Sequence, residues 1–531
     1  MQRRARGALF AAFVLILVLP SFVCVARERR LLDDGWRFSQ GDDREASQRE
    51  FDDSQWRQVR LPHDWSIEGV PHIDAPSGSG GGYLPTGVGW YRLRFDAPAA
   101  WRGQRITVEF DGVYHRTEVW INGRRLGRHA YGYTPVAFDL TPHVKLGAMN
   151  VLAVRVNNAD QPNCRWYSGS GIYRHVWIEV APLLHLNRGA LFAYASEASD
   201  ESATLMVEYA IANAADAGAT VDLELSLLDP AGDEASIERL TATIDAGASA
   251  EGVAMLLAPR PRLWSPDSPA LCTLLTRLKR GDRVLDELRT PIGIRTVRVS
   301  PERGLELNGQ PLRMIGACIH HDNGPLGAAA FAAADVRRVA LLKAAGFNAI
   351  RTAHNPPSTA FLAACDRLGM LVIDEAFDGW VKKKTDYDYH LDFADNWRDD
   401  LEAMVRRDRN HPSVVLWSIG NEMYERAEEP GAELSAQMCK AVRALDATRP
   451  ITAACNRVDS EEAWRRVDRT FAPLDVAGYN YQLAVVEDDH QRVPDRIIVF
   501  SESFPKDAFE CWDKFGGRPY VIGDFVWTGW D

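Results

Sequence analysis

The sequence predicts two all-β domains followed by a (β/α)8 barrel. Three observations carry this reading. The chain has 531 residues, too many for one core and enough for about three domains. Up to about residue 297 it is written in short alternating runs broken by Gly, Asn, Asp and Pro. Beyond that point apolar runs of strand length alternate with amphipathic helical patterns, the rhythm of a parallel sheet covered by helices.

Residues 1–26 read as an export signal. Basic MQRRAR precedes apolar GALFAAFVLILVL, then Pro20 and small residues ending at Ala26. The apolar run is short for a membrane span, and SFVC lacks the small residue before Cys24 that lipidation would want. An exported protein, periplasmic or secreted, is expected, with no membrane attachment beyond the signal.

Residues 27–183 form the first all-β region, with runs such as WYRLRFDA, RITVEFDG and NVLAVRVNN. In INGRRLG, Asn122-Gly123 supplies the positive φ of a tight hairpin turn, and PSGSGGGY is a flexible loop. Residues 184–297 are all-β again, with TLMVEYAIANA, TVDLELSLLD and CTLLTRLKRG spaced as in a small sandwich.

Residues 298–531 hold eight strand candidates: LRMIGACIH, NAIRTAHNP, LVIDEAF, VVLWSIGNE, PITAACN, DVAGYNY, RIIVFSES and YVIGDFVW. Clear helices between them are FAAADVRRVALLKAAG, closed by Gly346, and STAFLAACDRLG, opened by Ser358 and closed by Gly369. Eight alternations make a (β/α)8 barrel. The sequence stops at Asp531, just after the eighth strand, so the expected barrel lacks its last helix and reads as C-terminally truncated.

Composition excludes some functions. A net charge of −12, from 73 acids and 61 bases, argues against a nucleic-acid partner. Sixteen tryptophans suit sugar rings as well as core filling. The seven cysteines after the signal include no CxxC pair, and Cys318, Cys365 and Cys455 fall in apolar patterns as buried thiols. No metal-ligand spacing and no cofactor motif is present, so neither metal nor cofactor is expected.

Active sites of such barrels lie at the C-terminal strand ends. Those ends carry His320-His321-Asp322, then Arg351, His354 and Asn355, then Asp374-Glu375 and Asp378. Further round come Asn421-Glu422, Tyr479-Asn480-Tyr481, Glu502, and Asp524 with Trp527. A lone strand-end glutamate is ordinarily a structural ion-pair partner. Two of them, Glu422 and Glu502, converging from two strands among so many polar groups fit the carboxylate pair of glycoside hydrolysis.

At these residues the chain resembles a glycoside hydrolase of family 2, the family of β-galactosidases, β-glucuronidases and β-mannosidases. LPHDW, GWYRLRF, RWYSGSGIYRHVWIE, LWSPDSPALCTL and GIRTV match its non-catalytic domains. RTAHNPPS, DEAFD, WSIGNE and SES match its barrel. The resemblance implies a jelly-roll sugar-binding domain, an immunoglobulin-like sandwich and a retaining catalytic barrel. It implies Glu422 as acid/base, Glu502 as nucleophile and Asn421 as the contact to the sugar 2-OH. It further implies Tyr481 as hydrogen-bonded to the nucleophile, His320 and His354 as pocket walls and Trp527 as pocket floor. Arg351 and Asp374 are expected either to orient the carboxylates or to form a structural barrel ion pair.

The chain also departs from the family pattern. DEAFDGWVKKK has no histidine for the magnesium site of some members, and Arg165 stands where some have a sodium-binding aspartate. By the resemblance, a β-glucuronidase would hold the substrate carboxylate with an Asn-x-Lys element beyond strand eight, a region past Asp531. The leading expectation is an exo-β-glycosidase acting on terminal β-D-galactosides. The same-class alternative is a β-glucuronidase or another β-glycosidase. The alternative of another class is a non-catalytic carbohydrate-binding protein or an inactive fragment. A carbohydrate is the expected partner, with homo-oligomerisation open.

Overall fold

Strand-forming runs in the first region close on each other as two packed sheets. The computed structural model describes residues 27–458 and 460–530, so the signal segment lies outside the described residues. One sheet has six strands and centres on Gly87–Ala97, paired antiparallel along its whole length with Ala148–Asn158. The other has four and centres on Gln104–Phe110 and Val176–Pro182. Trp36, Leu93, Val108, Phe110, Leu152, Val154 and Ile178 fill the space between them. Each such side chain contributes roughly 1.5–3 kcal/mol on burial. Asn122 and Gly123, at φ +52° and +84°, turn the hairpin between Thr117–Ile121 and Arg124–His129.

The second domain is a sandwich of two four-stranded antiparallel sheets. Ser202–Asn213 pairs with Ser249–Pro259 in one, and Ala219–Leu228 pairs with Cys272–Arg280 in the other. Alternate residues Leu205, Val207, Leu223, Leu225, Leu274 and Leu278 meet in its core.

The eight apolar runs after residue 298 form a closed parallel barrel. Its strands are Met314–Ile319, Ala349–Thr352, Leu371–Glu375, Val414–Asn421, Ile451–Cys455, Val476–Asn480, Ile498–Ser503 and Val521–Trp530. They coincide with the eight runs read from the sequence. Helices Ala332–Ala344, Thr359–Leu368, His390–Asp408 and Glu429–Leu445 follow the first four strands. Thr359–Leu368 starts where the Ser358 hydroxyl accepts from the Phe361 amide at 3.0 Å and stops at Gly369, φ +69°.

The second to seventh barrel strands are buried on both faces, whereas Ile315 of the first is exposed and the eighth is half-buried from Val526 on. Leu371 and Ile373 pack inside the barrel with Ala349, Ala353 and Val499. Val372 and Ile350 pack outside against the helices. The seven described cysteines are free thiols, all but Cys164 buried. No described helix is long and apolar enough to cross a membrane.

Candidate active site

Alternation along the second and third strands decides what faces the barrel axis. Ala349 and Ala353 point inward, and so does Arg351 between them, fully buried. Leu371 and Ile373 point inward, and so does Glu375. A buried guanidinium needs carboxylate partners. Arg351 donates Nη1 to Glu502 Oε1 at 2.9 Å and Nε and Nη2 to the Glu375 carboxylate at 2.8–3.0 Å. Its Nη2 also donates to Asn421 Oδ1 at 3.0 Å. Ser418 secures Glu375 from below at 2.7 Å. Burial raises Glu375 above the ordinary carboxylate range, with Arg351 and Ser418 opposing it.

Asn480 ties the two strand ends that carry the glutamates. Its amide donates to Asn421 Oδ1 at 3.0 Å and to Glu422 Oε1 at 3.2 Å, and its own oxygen accepts from Ser501 at 2.7 Å. Glu422 and Tyr481 both leave their strands in the left-handed region, at φ +45° and +58°. For non-glycine residues this conformation costs about 1–3 kcal/mol and persists only where surroundings impose it. The Tyr481 amide donates to the Glu502 carbonyl at 2.8 Å. Burial, then the adjacent Glu502 carboxylate, push the Tyr481 phenol upward. Glu502 is buried, whereas Glu422 is partly open.

Four rings wall the site. His354 stacks on Trp527 with centroids 5.1 Å apart, and His320 stacks on Trp166, also at 5.1 Å. His320 and Trp527 meet edge to face. Burial holds His354 well below the ordinary imidazole range, Asp378 and Glu502 notwithstanding. The neutral ring donates Nδ1–H to Glu375 at 2.8 Å.

Trp166 comes from the first domain, and LPHDW with SGSG explains how it arrives. Asp64 accepts from the amides of Ser66, Ser170 and Ala328, each at 2.9 Å, and from the Tyr167 hydroxyl at 2.5 Å. Gly169, at φ +69°, passes so close to Asp64 that a Cβ would fall 2.5 Å from its carboxylate. The loop so fixed carries Arg165 and Trp166 over the barrel. Arg165, Trp166, His354 and Asp378 border an interdomain cavity of about 60 Å³.

Family comparisons agree with this architecture along the chain. The model of the glycosyl hydrolases family 2 sugar-binding domain matches residues 30–182, that of glycosyl hydrolases family 2 matches 189–295, and that of the family 2 TIM barrel domain matches 297–493. The chain belongs to glycosyl hydrolase family 2. This family 2 chain is 38% identical to a β-galactosidase of Bacteroides ovatus over 95% of its own length and 64% of the relative's. It is 27% identical to a β-glucuronidase of Bacteroides fragilis over 99% of its length and 79% of that protein. A solved family 2 member from Bacteroides cellulosilyticus superposes with a TM-score of 0.91 at 44% identity, covering 94% of this chain and 64% of that one. The chain thus spans a little under two thirds of the first of these relatives.

Within this family 2 site one sequence expectation is corrected. Asp374 does not orient the carboxylates. It shares the outer face of its strand with Val372 and has Asp408, not a site residue, as its carboxyl neighbour. Burial, then neighbouring Asp408, push its carboxyl well above the usual range. Glu375, one position on, does the orienting, because successive strand residues point to opposite faces. The structure brings together Glu422, Glu502, Asn421, Arg351 and Tyr481, with His320, His354 and Trp527 as walls. Sequence reading gave no role to Glu375, Asn480, Asp378, Arg165, Trp166 or Lys384. Parity counted from Arg351 would have separated Glu375 from Asp374 only if the inward face were known. Among the described residues no cluster of His, Cys, Asp or Glu could hold a metal ion.

Proposed function

We propose that the protein is a retaining exo-β-glycosidase that releases terminal β-D-galactosyl groups, with Glu502 as nucleophile and Glu422 as acid/base. One observation carries the reading: the two glutamates have partners of different kinds on one connected network. Glu502 is ion-paired with the buried guanidinium of Arg351 at 2.9 Å, as a carboxylate attacking the anomeric carbon requires. Glu422 is partly open and is held by the neutral amide of Asn480 at 3.2 Å, as a group that gives and retakes a proton requires. Asn421 has its oxygen engaged by Arg351 and Asn480 and one amide proton by Asp378, and its other amide proton, 3.4 Å from His354 Nε2, would turn to the sugar 2-OH. Tyr481 steadies Glu502, and the rings of His320, His354 and Trp527 shape the pocket.

The cations within the site are already engaged. The site cations Arg351, Arg165 and Lys384 are each paired with a carboxylate of the protein itself. None of these three is spare for a hexuronate carboxylate. The higher identity to the Bacteroides ovatus β-galactosidase points the same way. The 27% identity to a β-glucuronidase over nearly the whole chain favours the second reading, a β-glucuronidase. Export on residues 1–26 would place the enzyme outside the cytoplasm.

Nitrophenyl β-galactoside and β-glucuronide, assayed side by side on the full-length protein, test the proposal. Faster release from the galactoside is expected. Preference for the glucuronide selects the second reading, and no release from any nitrophenyl glycoside selects a binding protein.

A further inference from the structure

The carbonyl of Asn421 lies where the fourth strand ends and the chain turns into the left-handed conformation of Glu422. A main-chain carbonyl at such a break needs a donor from outside the barrel ladder. Lys384 supplies it, from the loop after the third strand. Its Nζ reaches Asn421 O at 2.8 Å, Asp378 O at 2.7 Å and Asp378 Oδ1 at 2.8 Å. Three contacts use the three protons of the ammonium, and only 3% of the side chain is exposed.

Asp378 is the junction. Besides Lys384, its carboxylate accepts from Asn421 Nδ2 at 3.0 Å and from Arg165 Nε and Nη2 at 2.9 and 2.6 Å. Arg165 belongs to the first domain, 213 positions away in sequence. Asn421 is therefore gripped twice, at its amide by Asp378 and at its carbonyl by Lys384. The residue that follows is Glu422. A bidentate guanidinium fixes the plane of a carboxylate as well as its position.

We propose that Arg165, Asp378 and Lys384 form a positioning relay through which the first domain holds the Asn421–Glu422 turn in its working geometry. The relay rests on Glu422 being the acid/base, as proposed above. It touches no reacting atom. Its loss displaces the proton donor and leaves the nucleophile, held by Arg351, in place.

The test uses the full-length protein with Lys384→Met, Arg165→Met and Arg165→Lys, each checked by thermal melting. Hydrolysis of phenyl and dinitrophenyl glycosides is followed, in the sugar series the wild type cleaves. A displaced acid matters for the poor leaving group and little for the good one. Lys384→Met should lower kcat on the phenyl glycoside by about 100-fold and much less on the dinitrophenyl glycoside, with KM nearly unchanged. Arg165→Met should show the same pattern at about tenfold, and Arg165→Lys should recover part of it. Trapping of the nucleophile by an activated 2-deoxy-2-fluoro glycoside, which needs no acid, should stay within a few-fold of wild type. Equal losses on both leaving groups, a change confined to KM, or wild-type rates in folded variants overturn the relay. If Lys384→Met does not fold, Arg165→Met decides, since 37% of the Arg165 side chain is exposed and its removal leaves no cavity. A wild type inert on both glycosides overturns the glycosidase reading itself.

Discussion

Arg351 Nη1 lies 2.9 Å from Glu502 Oε1, and both groups are buried in the barrel mouth. The same guanidinium holds Glu375 with its remaining nitrogens, so one cation serves two carboxylates. Removing one partner of such a cluster leaves the others charged and unpaired. Arg351→Met should therefore cost about 3–5 kcal/mol of stability and abolish turnover. Denaturant unfolding beside an activity assay measures both; a variant as stable as wild type would contradict the ion cluster.

The two glutamates should fail differently. Glu502→Gln removes the covalent step, so it should abolish hydrolysis of every substrate. Glu422→Gln should lose about 100-fold or more on poor leaving groups and far less on dinitrophenyl glycosides. Steady-state kinetics over a leaving-group series reads this directly. A flat loss for Glu422→Gln would remove its acid role.

Asp374 and Glu375 are adjacent in sequence and opposite in orientation. Glu375→Gln should sharply reduce kcat, because Arg351 and His354 lose their anionic partner. Asp374→Asn should leave kcat within a few-fold, because Asp374 faces the helices and not the site. Comparable damage from both substitutions would contradict the assignment of faces.

Asp524 gives a pH test. Burial pushes its carboxyl up to about 6, against a hydrogen bond from Ser503. The folded state then holds the proton more tightly than the unfolded chain. Stability from this group is greatest below the unfolded value of about 3.9, falls as pH rises through about 6, and stays lower above it. Asp524→Asn cannot ionise. It should raise stability near pH 7.5 by up to about 3 kcal/mol and change it little near pH 3.5. Thermal melts at the two pH values suffice; an equal shift at both would contradict the burial of a charge.

The sequence makes some of this plain and hides the rest for physical reasons. Glu422 and Glu502 are legible because each closes a run of apolar strand residues, and strand ends are where barrel sites lie. Ser358 and Gly369 are legible because caps are local chemistry. The choice between Asp374 and Glu375 is not legible, since LVIDE is apolar on both faces and its parity carries no label for inside or outside. Arg165 and Lys384 are hidden for another reason: their partner Asp378 is fixed by tertiary docking of the first domain and a long loop, which no local pattern encodes. Trp166 was visible as a residue within RWYSGSGIYR, but its task depends on Asp64 turning that loop toward the barrel.

The stereochemistry of the first-formed product bears most directly on the pairing of Glu422 with Glu502. Two carboxylates in nucleophile and acid/base roles stand about 5–5.5 Å apart and retain configuration, whereas an inverting pair stands about 6.5–9.5 Å apart to admit a water. Proton NMR of an aryl β-glycoside digest, recorded in the first minutes by the full-length protein, should show the β-anomer of the free sugar before mutarotation brings in the α-anomer. The α-anomer appearing first would mean inversion, and Glu502 would not be the nucleophile.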